Sequence, residues 1–98
     1  MADNRFSIIQ DDKRCLVCGT TIGIHTHEAF FGTANRKISI EWGLCVYLCG
    51  RHHNLSDAGV HFNKTLDTKI KQLAQRRAME YYDWDIDDFR RVFGKNYL

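Results

Sequence analysis

The sequence predicts a small α+β fold, with short strands and tight turns in its first half and helices in its second. Three observations predict it. Two residue pairs, Cys15-Leu16-Val17-Cys18 and Cys49-Gly50-Arg51-His52, have the x₂ spacing that lets both side chains of a pair reach one tetrahedral ion. Between the pairs, residues alternate between apolar and polar types, the period of a strand. Beyond about Val60 the apolar residues recur at steps of three and four, the period of a helix.

Taken in order, residues 5–9 read as a short strand, and Asp11, Asp12, Lys13 and Arg14 make a polar turn into Cys15. Residues 15–19 form a knuckle, with Gly19 permitting the tight turn that follows the two cysteines. Residues 20–28 alternate: Ile22, Ile24 and Thr26 face one side of a strand, His25 and His27 the other. Residues 30–37 look like a loop opening with the aromatic anchors Phe30 and Phe31, and residues 38–42 alternate weakly. Phe30, Phe31 and Trp42 are expected in the core. Residues 44–48 are the best second strand, running into Cys49. Phe62, Leu66, Ile70, Leu73, Ala74, Ala78 and Tyr81 then mark one face of a long helix, with Lys64, Lys69, Lys71, Gln72, Gln75 and Arg76 on its other faces. A second helix begins after the N-cap residue Asp85, buries Ile86, Phe89 and Phe93, and stops at Gly94. There is no internal repeat and no interdomain linker, so the 98 residues read as one domain with one modest core.

Composition narrows the class. Hydrophobic residues make up 44% and charged residues 27%, as in an ordinary globular domain. No apolar run is long enough to span a bilayer, and the first five residues lead into no apolar signal core. These features imply an intracellular protein. In a reducing compartment four cysteines serve as metal ligands or buried thiols rather than disulfides. The net charge of +2 is too small to grip nucleic acid by itself, so any nucleic-acid binding must use a local patch and a metal.

Cys15, Cys18, Cys49 and His52 make a Cys₃His set suited to structural Zn²⁺, a staple that a domain this small needs. Cys45 offers an alternative fourth ligand to His52, because residues 45 and 49 of one strand point the same way; otherwise it is a buried thiol. A redox-active Cys-x-x-Cys is the competing class, and no βαβ pattern surrounds this one. Four histidines then remain: His25, His27, His53 and His61.

The order Cys-x₂-Cys, a His-rich strand, an Asn-bearing loop and Leu48-Cys49-x₂-His52-His53 resembles the HNH endonucleases of the His-Me finger (ββα-metal) superfamily. More narrowly, His27-Glu28-Ala29-Phe30-Phe31-Gly32-Thr33-Ala34-Asn35-Arg36-Lys37, with Tyr47 to His53 and Gly59-Val60-His61-Phe62-Asn63, looks like small HNH nucleases encoded by phages and prophages. The likeness runs from about residue 6 to 98, more softly at the closing Phe93-Gly94-Lys95-Asn96-Tyr97-Leu98. It implies a zinc-stapled ββα-metal core with C-terminal helices, acting on DNA in the host cytoplasm. A histidine takes a proton from water, and one divalent cation (Mg²⁺, Mn²⁺ or Ni²⁺) binds the scissile phosphate.

Carried over by residue, the resemblance makes His53 the metal-binding histidine. His61, displaced by the insertion of residues 54–59, becomes a second ligand. His27 matches the strand histidine, but the family usually shows a pair there and this chain has His27-Glu28. Either His27 is the base, with Glu28 helping to hold the cation, or His27 binds metal and Glu28 occupies the base position. Imidazole accepts a proton more readily at neutral pH, which favours His27 as base. His25, on the same strand face, is a surface or supporting residue. Asn35 matches the middle Asn, orienting the base or bracing the loop, and equally suits a plain turn residue. Arg36, Lys37 and Arg51 are placed to meet phosphates, while Lys64, Lys69, Lys71, Arg76 and Arg77 form a solvated helix face.

The expected activity is therefore metal-dependent DNA cleavage. The alternative is a non-catalytic zinc module that binds DNA or a phage packaging or recombination protein. Nucleases that cut both strands often pair, and the apolar helices leave room for a homodimer; no membrane partner is expected.

Overall fold

The computed structural model describes residues 5–54 and 59–98. Its elements are β1 (Ile24–Glu28), α1 (Thr33–Trp42), β2 (Cys45–Cys49), α2 (Gly50–His53), α3 (Lys64–Tyr82) and α4 (Ile86–Phe93). The fold is α+β, as expected. Its Cα radius of gyration of 12.9 Å is that of a single compact unit of about 100 residues. Among the described residues no helix is long and apolar enough to cross a membrane. Two sequence features, the N-terminal segment 1–4 and most of the insertion at 54–59, lie outside the described residues.

β1 and β2 pair antiparallel, with Ile24 opposite Cys49, His25 opposite Leu48, His27 opposite Val46 and Glu28 opposite Cys45. Every residue of β2 is buried, so both its faces pack and its second edge needs partners. The segment before Cys15 supplies them without becoming a strand. Ser7 Oγ donates to the Cys45 carbonyl at 2.6 Å, Tyr47 N donates to Gln10 Oε1 at 2.7 Å, and Leu16 N donates to the Tyr47 carbonyl at 2.8 Å. Side chains of Ser7 and Gln10 thus do what a ladder would, and residues 5–9 are irregular rather than the expected strand. The expected strand over 20–28 likewise shortens to Ile24–Glu28, because Gly23 turns the chain at φ 66°.

The connection between the strands departs furthest from expectation. Of the expected loop over 30–37 only residues 30–32 remain non-helical, and the weakly alternating 38–42 are helical too: Thr33 to Trp42 form α1. Its sequence has little helical signature, with no side-chain N-cap and only Ser39 fully buried. Tertiary contacts hold it. Buried Ser39 Oγ donates to the Phe30 carbonyl at 2.8 Å and accepts from Phe30 N at 3.2 Å. Gly43 ends the helix in the left-handed region at φ 72°, and Phe6 lies where its side chain would be. Only glycine suits both demands.

The helical half begins later than Val60. Asn63 caps α3 by accepting from Leu66 N at 3.1 Å. Ile70, Ala74 and Ala78 are buried, whereas Phe62, Leu73 and Tyr81, expected inward, are exposed. Gln75, expected outward, is fully buried: its amide donates to Asn96 Oδ1 at 2.7 Å and its carbonyl accepts from Tyr97 N at 2.8 Å. The C-terminal segment docks on α3 and turns the buried stripe toward it. Arg77, assigned to the solvated face, donates Nε to the Ile8 carbonyl at 2.8 Å.

α4 starts and stops where the sequence placed it. Asp85 and Asp88 form a reciprocal capping box, and Gly94 closes the helix at φ 79°. Phe89 and Phe93 are buried, while Ile86, expected inside, is exposed. Phe30 stacks among Phe89, Phe93 and Tyr97, with ring centroids at 5.4, 4.6 and 4.9 Å. Burying rings of this size contributes on the order of 1.5–3 kcal/mol each. Trp42 is half-buried at the edge, against Tyr82 and Trp84.

Candidate metal centre

Two clusters of metal-binding side chains form around the hairpin. The first joins Cys15, Cys18, Cys49 and His52, whose donor atoms all lie within 4.8 Å of one another. The knuckle is shaped by Gly19 N donating to the Cys15 carbonyl at 2.8 Å, with Gly19 at φ 77°. Cys15 N, bonded to the Thr20 carbonyl at 2.8 Å, folds the turn back on itself. Cys49 ends β2, and His52 follows on α2.

The spacings fit a tetrahedral ion. Bonds of about 2.3 Å to sulfur and about 2.0–2.1 Å to nitrogen give tetrahedron edges of roughly 3.8 Å between sulfurs and roughly 3.5 Å between sulfur and nitrogen. The Cys18 and Cys49 sulfurs are 3.8 Å apart, and His52 Nδ1 lies 3.3 Å from the Cys49 sulfur and 3.5 Å from the Cys15 sulfur. Burial raises the Cys15 thiol pKa, but backbone N–H groups at Cys49, Cys18 and Val17 outweigh it and bring the value to about 6, which favours the thiolate a metal needs. The cluster is compatible with structural zinc.

Cys45 does not join this set. It points the same way as Cys49, but four residues of strand separate them by about 13 Å. Fully buried and opposite Glu28, it sits at the far end of the hairpin.

The second cluster joins His27, His53 and His61, whose donor atoms also fall within 4.8 Å of one another. His27 comes from β1 and His53 from the end of α2. His61 is brought back by two backbone bonds to that helix, Val60 N to the His52 carbonyl at 2.8 Å and His61 N to the His53 carbonyl at 3.3 Å. His53 Nε2 and His61 Nε2 are 3.1 Å apart, near the roughly 3.0–3.4 Å that two imidazole nitrogens keep on one ion. The three rings stand edge to face, with centroids 4.8–5.2 Å apart. His27 Nε2 is buried and has no hydrogen-bond partner among the described residues. An orphaned imidazole nitrogen beside two others is a site whose donor set suits a cation.

Electrostatics keep the His27 and His53 rings neutral. Burial, then the neighbouring His53 and His61 and the charges of Lys71 and Arg36, push His27 down from 6.5 to about 3. Burial, with His61 and His25, lowers His53 to about 4, against an opposing pull from Glu28. Exposure grades outward from buried His27 through half-buried His53 to exposed His61, so the cluster is open on one side.

The other candidates are distributed unevenly. Glu28 is not in the cluster; Arg5 Nη1 reaches its Oε1 at 3.3 Å. Asn35 lies half-buried in the first turns of α1 rather than in a loop, and among the described residues its side chain makes no hydrogen bond to a histidine. Arg36 is exposed on α1, near enough for His27 to feel its charge. Lys37 and Arg51 are exposed. Lys71 was placed on the solvated helix face. Instead its Nζ stands 4.6 Å over the Phe31 ring and bonds to Asp67 at 2.8 Å, and its charge reaches His27. Phe31, expected in the core, walls the histidine cluster 5.5 Å from His27 and 5.1 Å from His61. The i,i+4 pairing of Asp67 with Lys71 is visible in the sequence; the meeting of Lys71 with Phe31 is not. Comparison with family models, with curated proteins and with solved structures returns no match for this chain.

Proposed function

We propose that this chain is a metal-dependent DNA endonuclease of the HNH type, in which the Cys₃His zinc holds the hairpin and the histidine cluster holds one exchangeable divalent cation. The observation that carries the proposal is the buried, unpartnered Nε2 of His27 meeting His53 and His61. His27 comes from a strand and His53 from the helix that follows its hairpin partner, the order expected of a ββα-metal core, and His61 joins them from the segment beyond that helix. A cation bound there would act as a Lewis acid on a phosphate oxygen and on the leaving oxygen. All three ligands are imidazoles, which suit Ni²⁺ or Zn²⁺ better than the oxygen-seeking Mg²⁺ and Mn²⁺.

In this proposal His27 is a ligand. A ring held neutral by burial keeps its lone pair for a metal, but with a pKa near 3 it is a weak proton acceptor at neutral pH. The base position passes to Glu28, next along β1 and close enough for His53 to feel its charge. The preference drawn from sequence, His27 as base, gives way to the other assignment that the His27-Glu28 pair allowed. Arg36 and Lys71 flank the cluster with positive charge for the phosphates.

Purified protein is to be assayed on supercoiled, linear and single-stranded DNA with Mg²⁺, Mn²⁺, Ni²⁺ and Zn²⁺ in turn. His27→Ala is expected to lose both the second ion and cleavage while keeping one zinc. Glu28→Gln is expected to keep the ion and lose cleavage by at least about 100-fold, the usual weight of a general base. Undiminished cutting by Glu28→Gln would remove it from the base position. Wild-type protein that cuts no DNA form with any of these metals would sink the nuclease proposal in favour of a zinc-bearing interaction module.

A further inference from the structure

The His53 ring is engaged at both nitrogens. Nε2 lies 3.1 Å from Nε2 of His61, on the side where the three imidazoles converge. Nδ1 lies 2.8 Å from Nδ1 of His25 on the other. The two engagements constrain each other. A ring nitrogen that offers its lone pair to a cation carries no hydrogen, so in a neutral imidazole the other nitrogen carries it. With Nε2 turned to the cation, Nδ1–H of His53 donates to Nδ1 of His25. His25 accepts there and keeps its own hydrogen on Nε2.

The strand supplies this geometry. His25 and His27 are two residues apart on β1, opposite Leu48 and Val46 of β2, and so share a face. One presents its ring to the convergence point and the other to the back of His53. The His25 and His53 rings meet edge to face at 86°, with centroids 5.0 Å apart. His25 is not one of the three converging donors; its nitrogen faces a ligand rather than the ion.

We propose that His25 is a positioning residue, which fixes His53 in the Nδ1–H tautomer and aims its Nε2 at the cation shared with His27 and His61. The inference rests on the three-histidine cation site proposed above, and on no assumption about DNA cleavage. Partners of this kind behind a ligating histidine are worth about 10–100-fold in metal affinity.

The test uses the full zinc-loaded chain, titrated with Co²⁺ by calorimetry and visible absorption, as wild type, His25→Phe and His25→Asn. Phenylalanine keeps the ring without a nitrogen; asparagine returns an acceptor near the position of Nδ1. The expected result is one Co²⁺ beyond the zinc in wild type, binding weakened by about 10–100-fold in His25→Phe, and affinity largely recovered in His25→Asn. Zinc content and circular dichroism should be the same in all three. Equal affinity in His25→Phe and wild type would overturn the proposal, as would an asparagine variant as weak as the phenylalanine one. Nitrogen-15 spectra of wild type carrying a second equivalent of Zn²⁺ give a readout that needs no variant: His53 bound through Nε2 with a proton on Nδ1 supports the assignment, and binding through Nδ1 overturns it. Failure of the wild type to take up any second ion is a distinct outcome, which removes the cation site and this inference with it.

Discussion

His52 and His53 are consecutive in the chain yet serve different clusters. His52 Nδ1 lies 3.3 Å from the Cys49 sulfur, while His53 Nε2 lies 3.1 Å from that of His61. On α2 each residue is turned about 100° from the one before, so one helical turn after β2 directs adjacent imidazoles to the two sides of the hairpin. An ion held by the Cys₃His cluster would therefore also fix the placement of His53. Loosening the first cluster should loosen the second.

That coupling gives the first prediction. A strong chelator should remove zinc and unfold the domain cooperatively, because ligand binding and folding are one equilibrium in such small sites. Cys49→Ala should do the same. Cys45→Ala should keep one zinc per chain and cost only about 1 kcal/mol, as for other small losses of buried volume. Elemental analysis with thermal melts checks all three; loss of zinc in Cys45→Ala would restore it as a ligand.

Acid sensitivity follows from the buried histidines. In the folded chain without a second ion, His27 titrates near 3 and His53 near 4, both below the ordinary 6.5. Between these values the unfolded chain binds protons that the folded chain does not, so stability is full above pH 6.5 and falls as pH drops through the window. Replacing His27 with Gln should flatten the slope between about pH 5 and 6.5, where zinc loss intrudes least. Urea melts at several pH values measure it, and parallel slopes for the two proteins would refute the burial assignment.

Ser39 is predicted to matter beyond its size. Its hydroxyl serves both the N–H and the carbonyl of Phe30 inside the core. Ser39→Ala leaves two backbone groups unpaired, at a cost of about 1–3 kcal/mol each. The denaturation midpoint should fall clearly; a change within a few tenths of a kcal/mol would mean that the helix rearranges to satisfy them.

Gly43→Ala should also destabilise, by about 1–2 kcal/mol for the left-handed backbone alone, and further because Phe6 fills the space of the new methyl group. A paired Phe6→Ala change should recover only the steric part. Full recovery in the double variant would place the whole effect in the clash.

The flanking charges carry a prediction specific to DNA. Arg36→Gln and Lys71→Gln should each lower the slope of log affinity against log salt by about 0.9 if each meets one phosphate. Lys37, which is not among the leading charges acting on His27, should change it less. Fluorescence anisotropy across salt concentrations measures the slopes, and unchanged slopes for Arg36 and Lys71 would place the DNA elsewhere.

Local chemistry was legible in the chain. The two x₂ pairs specified the Cys₃His set, because ligand spacing within a knuckle is a short-range matter. The alternation around His25 and His27, the second strand into Cys49, the Asp85 cap and the Gly94 stop depend likewise on neighbours within a few residues. The helix at residues 33–42 was not legible, because Ser39, Phe30, Gly43 and Phe6 hold it through contacts made only in the folded chain. The same is true of buried Gln75, which is satisfied by a segment about twenty residues away.

By itself the sequence determined which side chains can bind metal and which stretches turn, extend or coil. Tertiary structure decided how those side chains are grouped: Cys45 was separated from Cys49 by the length of a strand, and His27 was set beside His53 and His61. Chain order cannot carry that information, because donor atoms from a strand, a short helix and a returning segment share one point only after the hairpin has closed and the backbone bonds to α2 have formed.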